Sequence, residues 1–212
     1  MALPSTSDFA LKRLHSLTGV LPLGGFLFMH LWTNAHVLTS PEHYNAAAAE
    51  INHMPFLLGV EALGVWAPLL FHSFYGVYIA FSGSNNVLQY SYPRNWMYML
   101  QRVSGFVALA FLLYHVITQR FIYKPADLDF YRVMSETLSN PLILGFYVLG
   151  LASVVFHFAN GLWTASIVWG LAVGARTQQA MNYVSVGVGL ALFTLGFAAL
   201  LRFSPLTNAL FS

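Results

Sequence analysis

The sequence predicts an all-α membrane protein: five transmembrane helices, the first four forming a four-helix bundle built from a repeated hairpin. Three observations lead there. Of 212 residues, 58% are hydrophobic and 8% charged, against about 25% charged in an ordinary soluble domain. The few charges leave five uncharged runs, at 14–41, 62–93, 103–119, 137–175 and 177–201, each able to hold a spanning helix of about 20 residues. Histidines recur at a near-constant interval through the first four runs. Residues 1–212 read as a single transmembrane domain.

Taken in order, turn signals trim the runs to helices near 17–38, 57–81, 97–119, 141–170 and 180–203. The separators are Ser40-Pro41, Ser82-Gly83-Ser84-Asn85-Asn86, Lys124-Pro125 and a polar stretch around Arg176. The third helix is the shortest run and needs Arg102 and Arg120 to snorkel from its ends. The first 16 residues have no apolar signal core, so the run after Lys12-Arg13 is expected to be retained as a span. Those two basic residues precede the first helix, and the loop after it has none through Met54, which places the N-terminus on the cytoplasmic side.

Composition also excludes. Net charge is +2 from nine basic and seven acidic residues, too few and too scattered to neutralise a row of phosphates, so nucleic acid is not a partner. There is no cysteine. Disulfides, thiolate zinc, Cys-held iron–sulfur clusters and covalent C-x-x-C-H haem are therefore absent from this chain. A metal would have to rest on His, Met or carboxylate.

Ionisable groups are costly inside a bilayer, so intramembrane histidines invite a functional reading. His30, His72, His115 and His157 each occupy a different one of the first four helices, spaced by 42, 43 and 42 residues. The same 85-residue offset relates Ala67, Phe71, Gly76 and Ala80 to Ala152, Phe156, Gly161 and Ala165. Helices one and two are thus repeated as three and four. Helix rise and alternating direction pair the histidines by depth. His30 and His115 fall in the outer half and His72 and His157 in the inner half, each pair drawing one residue from each hairpin.

Two imidazoles without a third ligand suit haem iron, which already has four porphyrin nitrogens; zinc would want four protein ligands. The expected cofactors are two b haems, outer on His30/His115 and inner on His72/His157. Gly76 and Gly161, one turn past the inner histidines, would give a flat macrocycle room. Arg13, His15 and Ser16 at the inner start of helix one, and Trp96 and Arg102 at that of helix three, are candidate partners for haem propionates, although Arg and Trp at helix ends also serve as interface anchors.

Several strings carry a resemblance: Lys-Arg-Leu-His-Ser-Leu-Thr-Gly at 12–19, Tyr-Gly-Val-Tyr-Ile-Ala-Phe at 75–81, Gln-Tyr-Ser-Tyr-Pro-Arg-Asn-Trp-Met at 89–97, Leu-Gln-Arg-Val-Ser-Gly at 100–105 and Phe-His-Phe-Ala-Asn-Gly-Leu-Trp at 156–163. They resemble the cytochrome b subunit of succinate dehydrogenase, of the single-chain, five-helix, two-haem type of menaquinone-using bacteria. The resemblance implies a multi-pass anchor in the bacterial cytoplasmic membrane, carrying a flavoprotein subunit and an iron–sulfur subunit on the inner side. Electrons would pass from the clusters through inner and outer haem to menaquinone. The chain by itself would not oxidise succinate, and the same architecture run backwards is a quinol:fumarate reductase.

A quinone near the outer haem needs a proton-exchanging group. Glu61 is the one carboxylate within a predicted helix in the outer half, with Asn34 and His36 able to add hydrogen bonds. Two other classes compete: a two-haem cytochrome b serving another membrane oxidoreductase, and a transporter using the histidines as a proton relay.

Overall fold

The computed structural model describes residues 6–123 and 129–210, with side chains from 8 to 123 and 129 to 207. Among the described residues it is helical without strands, and five rods are long and apolar enough to cross a membrane: Asp8–Leu38, Leu57–Ser82, Pro93–Ile122, Pro141–Val168 and Ala175–Phe203.

The first rod is α1 (Thr6–Val20) followed by α2 (Pro22–Ala35) and a short 3₁₀ turn. Pro22 has no N–H to give the preceding turn, so the ladder breaks there while the rod continues. The rod starts well before the expected residue 17. The absence of charge marks what lipid tolerates, not where a helix begins, and the Asp8–Lys12 ion pair at 2.7 Å supports the charged first turns. Arg13, His15 and Ser16 consequently lie inside α1 and not at its start.

Between the first two rods, expected as loop, the chain forms α3 (Pro41–Asn52), capped by the Ser40 hydroxyl on the backbone N–H of His43. The second rod is α4 (Leu57–Glu61), a π-helical turn at Ala62–Trp66 and α5 (Ala67–Ser82). Pro68 sits in the first turn of α5, where a wide preceding turn spares its ring the carbonyl below. The third rod, α6 (Pro93–Val116), opens at Pro93 and not at residue 97, and ends in another π-helical segment, Ile117–Ile122. The expected Lys124-Pro125 break lies outside the described residues. Then α7 (Phe130–Thr137) forms within the expected loop, capped by Asp129.

The fourth rod is α8 (Pro141–Val168), capped by Asn140. It stops at Gly170, whose φ of 73° lets the amide of Leu171 return to the carbonyl of Ser166 (2.8 Å) and that of Gly170 to Ile167 (3.0 Å). The separator from the fifth rod, α9 (Ala175–Phe203), is therefore Trp169–Gly174, and Arg176 belongs to α9. Arg94 ties this corner by stacking on Trp163 at 3.6 Å and bonding Asn182.

α8 is the central rod, packed along α6 and α9; α9 also packs on α2, and α1 on α5 and α8. The fifth rod, which has no histidine, is thus among the most embedded. By contrast, no residue of the second rod is buried. The main core lies at the end away from the N-terminus, where Tyr44 of α3 and Met134 of α7 pack with Val37, Phe111, Leu138, Tyr147 and Phe203. Those two short helices are joined by Asn45, which donates to Asp129 and accepts from the backbone N–H of Tyr131.

Candidate haem site

The four histidines meet in two pairs. His30 of α2 and His115 of α6 have ring centroids 5.8 Å apart with planes at 82°. His72 of α5 and His157 of α8 are 6.1 Å apart at 87°. A ring nitrogen lies about 1.1 Å from its centroid and coordinates at about 2.0–2.1 Å, so two imidazoles on opposite sides of one metal have centroids about 6.3 Å apart. The inner pair lies about 0.2 Å and the outer pair about 0.5 Å short of that spacing. Among the described residues there is no group of three or more His, Asp or Glu placed to hold a metal ion.

The Nδ1–H of His72 donates to the carbonyl of His15 at 3.0 Å, and that of His157 to the carbonyl of Gln101 at 3.0 Å. These acceptors lie 86 residues apart, on α1 and α6. Each is followed one turn later by a glycine: a Cβ on Gly19 would lie 2.5 Å from His72 Cε1, and one on Gly105 3.0 Å from His157 Cε1. Each imidazole is therefore seated on a neighbouring helix by a main-chain carbonyl and the gap left by a missing side chain. With Nδ1 engaged, Nε2 is the nitrogen left for a metal. In the outer pair His115 Nδ1 lies 3.3 Å from the hydroxyl of Tyr147.

Sequence reasoning did not find the carbonyls of His15 and Gln101 or the Tyr147 hydroxyl. A sequence signal for the first two was present: a glycine four residues after position 15 and again after position 101, one residue out of the 85-residue offset.

The remaining predicted site residues are dispersed. His15 stacks on His72, 4.1 Å between centroids and 8° between planes, deeper than the rim position expected for it. Its Nε2 is buried with no hydrogen-bond partner among the described residues. Gly76 and Gly161 open onto protein: a Cβ would lie 3.1 Å from His15 Nε2 at the first and 3.5 Å from Gln101 Nε2 at the second. The room they leave admits these two side chains, which are 86 residues apart, one more than the repeat offset. Ser16 accepts from Trp169 Nε1, and Arg13 lies over the Phe9 and Trp169 rings. Arg102 bonds the Tyr98 hydroxyl and the Ser84 carbonyl, and Trp96 donates to Ser91.

Away from the N-terminal end, Asn34 donates to the carbonyl of His30 (2.8 Å) and the His36 ring turns back to the carbonyls of Trp32 and Thr33. The Glu61 carboxylate receives Arg120 at 2.7 Å, joining the second and third rods next to both π-helical turns, with Trp66 and Phe121 in ring contact beside it. Such turns free backbone groups and are frequent at functional sites.

These features define a multi-pass helical membrane protein that pairs histidines between two repeated hairpins at two levels. Residues 83–197 match the family of succinate dehydrogenase/fumarate reductase transmembrane subunits. The chain is also 41% identical over 196 residues, 92% of its own length and 97% of the relative's, to the succinate dehydrogenase cytochrome b558 subunit of Bacillus subtilis (strain 168). The chain belongs to this family: it is a cytochrome b membrane subunit of the succinate dehydrogenase/fumarate reductase kind.

Proposed function

We propose that this subunit binds two b haems, inner on His72/His157 and outer on His30/His115, and relays electrons from an iron–sulfur subunit to menaquinone. The observation that carries the reading is the double pair itself, with centroids at 6.1 and 5.8 Å and the Nδ1–H of both inner histidines committed to carbonyls. Bound haem supplies one-electron carriage without proton uptake at the ligand atoms. The chain's own part is to hold each imidazole in a fixed tautomer and orientation, and to keep the path within low-dielectric packing. Levels that anchor the two pairs, Gln101 and His115 on α6 or His157 and Tyr147 on α8, are 14 and 10 residues apart, about 15–21 Å along a helix.

On this reading the N-terminal end faces the cytoplasm of a bacterium, where a flavoprotein and an iron–sulfur subunit dock, and succinate is oxidised on them. His15 fits a haem propionate best of the predicted donors, because a buried nitrogen without a partner is what a carboxylate satisfies. Arg13, Ser16, Trp96 and Arg102 would serve the same rim. Glu61 would exchange the quinone's protons at the other end, with Arg120 holding its charge in place. Asn34 and His36 would add hydrogen bonds there.

A reduced-minus-oxidised visible spectrum of the purified subunit, with haem quantified against protein, tests the reading. Two b-type haems per chain are expected. A preparation without a haem band would defeat it in favour of a proton-relay transporter, and one haem per chain would defeat the two-level relay.

A further inference from the structure

The two histidine pairs are supported by different chemistry. Both inner rings are anchored to main-chain carbonyls at 3.0 Å, with the Ser104 hydroxyl a longer 3.5 Å from His157 Nδ1. In the outer pair, the ring with a hydrogen-bond partner among the described residues is His115, and that partner is a side chain, the Tyr147 hydroxyl at 3.3 Å. Tyr147 is 2% exposed, wedged edge-on against Phe111 and Tyr114 in the main core. A buried phenol normally has its hydroxyl satisfied. Here Gln119 Nε2 also reaches it at 3.3 Å, and the same amide reaches Thr137 of α7 at 3.3 Å. A phenol oxygen has two lone pairs and can accept from both His115 and Gln119.

We propose that Tyr147 is a positioning residue for the outer haem: its oxygen accepts the Nδ1–H of His115, fixing Nε2 toward the iron and setting how strongly that ligand donates, while Gln119 orients the phenol from the α7 side. The proposal rests on the haem assignment above. A hydrogen-bond acceptor on Nδ1–H makes an imidazole a more basic ligand, which favours ferric iron. Removing it weakens the donor and raises the reduction potential of that haem alone. The inner haem, anchored by carbonyls no side-chain substitution deletes, is left as it was.

The test is Tyr147→Phe in the assembled complex, read by redox titration of the two spectral components and by EPR of the low-spin ferric signals. Phenylalanine keeps the ring against Phe111 and Tyr114, so haem content should be retained. The expected result is a higher potential and shifted g values for one component, the same one that His115→Ala removes, with the other unmoved. Unchanged potentials and g values in a haem-replete Tyr147→Phe protein would overturn the proposal, as would an equal shift of both components. If that variant fails to assemble, Gln119→Leu carries the test with the phenol intact: movement of the His115 component alone supports the proposal, and no movement overturns it. A wild-type protein without haem defeats the haem assignment instead, so the two failures are distinguishable.

Discussion

The Nδ1 of His157 lies 3.0 Å from the carbonyl of Gln101, and the ring rests over Gly105 one turn further along α6. His72 repeats the arrangement on α1 with His15 and Gly19. The glycines therefore test whether seating matters. A methyl group at Gly19 would come 2.5 Å from His72 Cε1, against 3.0 Å at Gly105. Gly19→Ala is expected to disturb the inner component more than Gly105→Ala, by about 1–3 kcal/mol of overpacking in the tighter case. Thermal release of haem, followed by absorbance, checks the order; equal retention in both variants would show that the seat tolerates a side chain.

Pairing between hairpins has its own signature. His72→Ala and His157→Ala should remove or convert to five-coordinate the same spectral component, with the double variant resembling either single one. His30→Ala and His115→Ala should define the other. Low-temperature absorption on the four variants decides: if His30→Ala and His72→Ala affect one component together, the ligands pair within a hairpin.

Glu61→Gln keeps the shape of the side chain and removes its charge and proton-accepting ability. Quinone-coupled turnover should fall by about tenfold or more, the lower end of what a positioned acid–base group contributes. Succinate oxidation with an artificial acceptor should hold, because Glu61 belongs to neither histidine pair. Equal quinone kinetics in variant and wild type would place the site elsewhere.

The isolated subunit should have no succinate-oxidising activity, since it has no cysteine to hold a cluster and no dinucleotide fingerprint. Succinate-dependent dye reduction by the purified chain, free of its partners, would contradict this.

Acid should loosen the cap at the end away from the N-terminus. The backbone N–H of Arg132, then the Asn45 amide and the Arg132 charge, hold the Asp129 carboxyl below its ordinary range. A carboxylate depressed in the folded state contributes stability that is complete above its unfolded pKa, about 3.9, and is lost as pH falls through the lower folded value. Proteolysis between α7 and α8 with an acid-active protease should accelerate below about pH 4 and, in Asp129→Ala, which removes the acceptor altogether, should already be fast near neutrality. A rate independent of pH in the wild type would detach the cap from this carboxylate.

The spans and the pairs were legible because lipid forbids charge and because the repeat duplicates its histidines at a fixed offset. Helix ends were less legible: α1 carries Asp8, Lys12 and Arg13 within it, and α9 carries Arg176, so a reading from charge gaps starts both too late. The cap helices α3 and α7 were missed because a polar stretch between spans resembles a loop, although Ser40 and Asp129 stand where N-caps belong. Main-chain acceptors have no sequence letter; only the recurring glycine betrayed them. The Glu61–Arg120 pair was not legible because its members are 59 residues apart.

The carbonyl seat also bears on how the two halves can drift apart. An amide oxygen is present whatever residue carries it, so mutation at position 15 or 101 leaves the acceptor in place. One half has histidine at the acceptor and the other glutamine, and each presents a main-chain oxygen at 3.0 Å. Selection is left to act on the glycine a turn away, while the side chain of the acceptor residue is free to be recruited: a stacked imidazole in the first half, and in the second an amide bonded to Asn160. A duplicated hairpin can in this way preserve its ligand geometry while its two copies diverge in the chemistry around it.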